Sequence, residues 1–136
     1  MKHIPTALII CLFAVALSSA LFAEEAPWVA PARAAKKKNP IAADETSLAK
    51  GKALYAKECL SCHGPAGKGD GPAVKDLEKK PGDLSNPKLG EQTDGALFWK
   101  LTEGRKPMPS VEKVFTEDER WHVINYIRSF APKHSK

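Results

Sequence analysis

Hydrophobic and polar positions divide the chain into distinct stretches. Ala7 to Phe22 is an almost unbroken apolar run, broken only by Ser18 and Ser19. Residues 24–46 are rich in Ala, Pro and Lys without an apolar period, and read as an extended tether. Periodicity begins near residue 47. Leu48, Gly51 and Tyr55 fall at i, i+3 and i+7, predicting a helix over 47–58 capped by Asp44 or Thr46. A second helix is predicted over 94–103, where Leu97 and Leu101 share a face, Thr93 or Asp94 caps the start and Gly104 ends it. A third is predicted over 117–130. Thr116 and Glu119 form its capping box, and Val123, Ile127 and Phe130 make its stripe with Tyr126 on the edge. The intervening segments GPAGKGDGP, KKPGDLSNPKLG and GRKPMPS are loops, and no alternation marks a strand. The pattern predicts an all-α domain over residues 47–131, with long loops and a short tail at 132–136.

The N-terminal run changes which residues count. With Met1-Lys2-His3 before it and small residues at its end, it reads as a signal peptide over residues 1–23, cut between Ala20 and Glu24, or as an uncleaved anchor. Cys11 belongs to that segment, so the exported chain keeps two cysteines, too few for a disulfide scaffold. With 3 Trp, 2 Tyr and 5 Phe in 136 residues, the core is thin unless something other than a side chain helps to fill it. The formal net charge of +5 is modest, and in an exported protein it argues against a nucleic-acid partner. Lys36-Lys37-Lys38 reads as a solvated part of the tether.

The two remaining cysteines lie in Cys59-Leu60-Ser61-Cys62-His63. C-x-x-C-H is the pattern of covalent c-type haem attachment. One helical turn separates the sulfurs, which suits thioethers to two vinyl groups on one porphyrin edge, and the next residue offers an imidazole to the iron. A redox dithiol calls for a βαβ setting, and a structural zinc site calls for four ligands; the pattern supplies neither. Long loops in so small a domain need a partner to pack on, and a haem is one.

The stretch from Ala49 to Phe130 resembles a class I monohaem cytochrome c. Within that class it is similar to the small bacterial domains also found in cytochrome subunits of haem–copper oxidases. AKGKALYAKECLSCHGPAGKGDGPAV, DGALFWKLTEGRKPMPS and TEDERWHVINYIRSF carry the resemblance in order and spacing. The resemblance implies a class I cytochrome c fold wrapped around one covalent haem c per chain. Its first and last helices would cross at right angles, Gly51 and Tyr55 meeting Val123 and Tyr126. It implies thioethers at Cys59 and Cys62, and His63 and Met108 as axial iron ligands. Met108 sits in Pro107-Met108-Pro109, matching the family's ligand loop, and is the sole methionine besides Met1. His122 and His134 are the alternatives for that position. The family's proximal histidine donates to a proline carbonyl, for which Pro72 is the first candidate here and Pro81 the second. Ser110-Val111 stands where the family often places an aromatic residue. Trp99 reads as a core residue at the haem edge, and Trp121 and His122 as structural or surface positions.

Two protein ligands leave no open position on the iron, so the expected role is electron transfer without bond chemistry, and the protein is not expected to be an enzyme. The expectation is a periplasmic carrier, membrane-bound only if the signal is retained, or a haem subunit wiring electrons within a larger dehydrogenase or terminal oxidase. Lysines such as Lys57 and Lys68 would steer redox partners, donor and acceptor, that present acidic docking patches.

Overall fold

A computed structural model of the protein describes residues 26–131. The expected signal segment with Cys11, and the tail with His134, lie outside the described residues. In order, the chain forms α1 (Ala32–Ala35), α2 (Glu45–Glu58), α3 (Leu60–His63), a 3-10 helix (Pro72–Asp76), α4 (Pro87–Gly90), α5 (Asp94–Glu103) and α6 (Glu117–Arg128). Among the described residues there is no strand, only a lone antiparallel bridge between Arg105 and Met108. No helix among them is long and apolar enough to cross a membrane.

Local chemistry sets the helix ends. Asp44 accepts a hydrogen bond from the Ser47 amide at 2.8 Å, so α2 starts at Glu45, two residues before its apolar period. Thr93 caps α5, accepting from the Ala96 amide at 3.2 Å, and Gly104 ends it at φ +69°. The Thr116/Glu119 capping box is formed, with both reciprocal bonds in place. α6 ends at Arg128, so Phe130, expected as the last residue of this helix, lies just beyond it.

The core is built where α2 crosses α6 and α5 packs beside them. A Cβ on Gly51 would lie 2.1 Å from the His122 carbonyl oxygen and 2.7 Å from the Tyr126 Cβ. Only glycine lets the two backbones meet there. One turn on, the Tyr55 ring stands edge-on to Tyr126 and to Phe130, with centroids 5.3 Å apart in each pair. Val123 is buried beside this crossing, but the backbone Gly51 meets is that of His122. Trp121 and Ile124 are fully buried, and Trp121 stacks on Phe98 at 4.0 Å. Trp121 is thus the largest wholly buried side chain, a position the stripe of Val123 and Ile127 does not reveal. Of the two aromatic residues in the LFWKL stretch, Phe98 enters the core with Leu97 and Leu101, and Trp99 is half-buried.

Residues 26–43 are not the solvated tether expected from their composition. They form a strap along α5 and α6, held by dispersed polar contacts and close backbone approaches. Thr93 Oγ1 donates to the Ala35 carbonyl at 2.7 Å, and the carbonyls of Ala34 and Lys37 occupy the space where a Gly95 Cβ would be. Lys37 is docked as well: its ammonium lies 2.6 Å from Glu117 and 4.4 Å from the centroid of the Phe98 ring. Asn39 donates to Asn125 at 2.8 Å, and the buried Asn125 donates in turn to the Ile41 carbonyl and to Ser47. None of these anchors recurs with a helical or strand period, so hydrophobic patterning does not register them.

Candidate functional site

The attachment motif sits at the hinge between α2 and α3. Cys59 caps α2, its amide donating to the Tyr55 carbonyl at 2.9 Å. Its own carbonyl then accepts from the amides of Cys62, at 3.2 Å, and His63, at 2.8 Å. The two cysteines and the histidine therefore occupy one continuous turn, with both thiols free and half-buried. Gly64 ends the turn at φ +75°, and a Cβ there would collide with the Asp70 carboxylate.

The glycine-rich loop folds back over this turn. The Gly69 amide donates to the His63 carbonyl at 2.9 Å, and the Gly71 amide to the Cys62 carbonyl at 3.1 Å. A Cβ on Gly71 would meet the Ser61 carbonyl oxygen at 2.2 Å. Tyr55 closes the arrangement from the helix side, donating its hydroxyl to the Gly64 carbonyl at 2.6 Å. Burial first, then the neighbouring Cys59, Tyr126 and Asp70, push the Tyr55 hydroxyl above its ordinary range, so it stays a neutral donor.

His63 Nδ1 lies 3.2 Å from the Gly82 carbonyl oxygen. A carbonyl only accepts, so Nδ1 carries the proton and Nε2 keeps its lone pair free. Burial lowers the His63 pKa, opposed in part by this same bond, and favours the neutral imidazole that ligates metals. The orienting carbonyl is therefore neither of the two proline candidates. Pro72 opens the 3-10 helix on the exposed side, because Gly71 is drawn against the backbone of the turn. The loop that reaches the imidazole runs through Pro81 and Gly82, pinned by the Leu84 amide donating to the Gly67 carbonyl at 2.6 Å.

Burial also raises the Cys59 thiol to about 12, with Glu58 and Cys62 adding to the shift. A redox dithiol depends on a depressed thiol pKa, and this one is moved the opposite way. Among the described residues, no group of three or more His, Cys, Asp and Glu converges on a common point that could hold a bare metal ion.

Met108 lies in the loop between α5 and α6. It is half-buried and packs on the same core cluster that Cys59, Leu60 and Leu84 border. The loop is tight: Arg105 and Met108 exchange backbone hydrogen bonds at 2.9 and 2.8 Å, and the Val111 amide donates to the Leu101 carbonyl at 3.2 Å. His122, the alternative ligand, is committed elsewhere, with Nδ1 2.8 Å from Ser47 Oγ inside the α2–α6 contact. The residues present fit a haem by the chemistry of their donors. Two free thiols and an imidazole with one nitrogen tied back share one turn, and Cys59 of that turn and the Met108 thioether both pack on one apolar cluster whose rim is only partly buried.

An all-α domain in which α2 crosses α6 and a C-x-x-C-H turn follows the end of α2 is the class I cytochrome c fold. A family model described as cytochrome c oxidase, cbb3-type, subunit III, matches residues 46–127, more than half of the chain. The chain belongs to this family of c-type cytochrome domains, and membership implies that it binds haem. A solved structure of the Kuenenia stuttgartiensis reducing HAO-like protein complex is similar, with a TM-score of 0.61 and 31% identity. The match covers 68% of this chain and 47% of that one, so this protein spans about half the length of that relative. No curated protein matches the chain.

Proposed function

We propose that the protein is a periplasmic single-electron carrier, not an enzyme, that binds one haem c through Cys59 and Cys62, with His63 and Met108 as axial ligands. The observation that carries this reading is the 3.2 Å contact between His63 Nδ1 and the Gly82 carbonyl, which suits an Nδ1–H donor and leaves Nε2 available beside two free thiols in the same turn. A bound haem c supplies the Fe(III)/Fe(II) couple. The chain's own part is to hold the imidazole in one orientation, keep both thiols in one turn, and present the Met108 thioether from a short loop. A sulfur ligand favours the reduced iron and raises the potential relative to two imidazoles. Lys57 and Lys68, both exposed near the attachment turn, would steer acidic partner surfaces.

The comparisons favour a second reading beside it. The matching family is described as an oxidase subunit, and the similar solved structure is a protein complex. In that reading the same haem domain wires electrons to a separate catalytic chain. Purification of the native protein separates the two: a carrier elutes alone from the soluble periplasmic fraction, whereas a subunit co-purifies from detergent-solubilised membranes with stoichiometric partners.

A further inference from the structure

The strap and the Met108 loop meet at one side chain. Arg105 exchanges two backbone hydrogen bonds with Met108, and its guanidinium donates to the Ala26 carbonyl at 2.9 Å, 79 residues away in sequence. The strap is anchored along the length of α5 that leads to this point. Its Ala34 and Lys37 carbonyls sit against Gly95, Ala35 accepts from Thr93, and the Lys100 ammonium lies 5.4 Å from the centroid of the Trp28 ring. On the other side, a Cβ on Gly104 would lie 2.5 Å from the Ser110 amide nitrogen, and Ser110 donates its hydroxyl to the Thr102 carbonyl. The loop base is therefore closed by its own backbone and tied at Arg105 to a segment from the far end of the chain.

We infer that Arg105 is a positioning residue for the Met108 loop, fixing its base to the N-terminal strap and so biasing the loop toward the conformation that presents the thioether. This rests on Met108 being the sixth ligand. A thioether is a weak ligand to ferric iron, so its occupancy depends on how much of the loop's conformational freedom is removed before it binds. Arg105 and the strap remove some of that freedom without touching the iron.

Imidazole titration of the oxidised holoprotein reads this directly, because exogenous imidazole must displace the native sulfur. Arg105→Ala should raise the apparent imidazole affinity about threefold to tenfold, and Arg105→Lys should restore part of the difference. Gly95→Ala tests the strap with Arg105 intact, since its Cβ would lie 2.4 Å from the Ala34 carbonyl oxygen and lift the strap. It should raise the affinity similarly, and the double variant should exceed neither single by much, because both act by loosening the same strap from the loop base. A variant that melts earlier but binds imidazole like the wild type shows a structural role only and overturns the inference. Met108→Ala is the reference. If it binds imidazole no more tightly than the wild type, the ligand assignment itself has failed and this inference falls with it. If Met108→Ala binds far more tightly while Arg105→Ala and Gly95→Ala do not, the assignment stands and the inference alone is wrong.

Discussion

Gly51 shows what one missing methyl group does in this protein. The 2.1 Å from its hypothetical Cβ to the His122 carbonyl oxygen is backbone against side chain, which neither partner relieves by rotating a bond. Gly51→Ala should therefore cost about 1–3 kcal/mol or more, despite the better helix propensity of alanine, and denaturant melts of the holoprotein check it. A midpoint equal to the wild type would mean that the helices move apart at little cost. Gly51 and Tyr55 were expected at the helix crossing from the family resemblance and from their shared helical face. The carbonyl that orients His63 was not, because a backbone acceptor leaves no mark in residue type. The signal available was only a Pro-Gly pair in a loop, and the structure selects Gly82 through the pinning of Leu84.

At the scale of elements, the three principal helices were readable because caps and stripes are local. The helix over 94–103 agrees at both ends, and the capping box of α6 is formed as its residues dictate. The strap was misread for a physical reason: Ala, Pro and Lys are the residues of a linker, and here they dock through carbonyls and one ammonium set over an aromatic ring. Its Lys37–Glu117 pair makes docking pH-dependent. Hydrogen bonding to Lys37, followed by that ammonium's charge, holds the Glu117 carboxyl below the usual carboxylate range. The folded value lies below the unfolded one, so the pair stabilises above the ordinary carboxylate range and that contribution is lost as pH falls through the folded value. The pair is exposed, and the effect is accordingly small. Amide exchange over residues 32–43 should quicken on acidification, relative to the intrinsic rate, more in the wild type than in Lys37→Met. Equal acid sensitivity in the two proteins would place the titrating contact elsewhere.

For the whole molecule, the apolar cluster is continuous from Trp121 to Tyr55, but its rim at Leu54, Cys59, Leu60, Leu84 and Met108 is only partly covered. A domain of this size has little stability to spare, and a prosthetic group completing that rim contributes to folding as well as to chemistry. The chain with Cys59 and Cys62 both replaced by Ala should be degraded in cells and show no cooperative melt when isolated. A helical apo-protein with a sharp transition would show that side chains alone close the core. The thin aromatic content predicts such a need, and the C-x-x-C-H turn is where the proposed haem would be held.

The most direct measurement of the central claim is acid-acetone extraction of the holoprotein from cells competent in haem attachment. With thioethers at Cys59 and Cys62, the haem stays with the precipitated polypeptide, and either single Cys→Ala substitution leaves one link and alters the reduced α band. Haem recovered in the acetone layer, with colourless protein beneath it, would contradict covalent attachment at this turn.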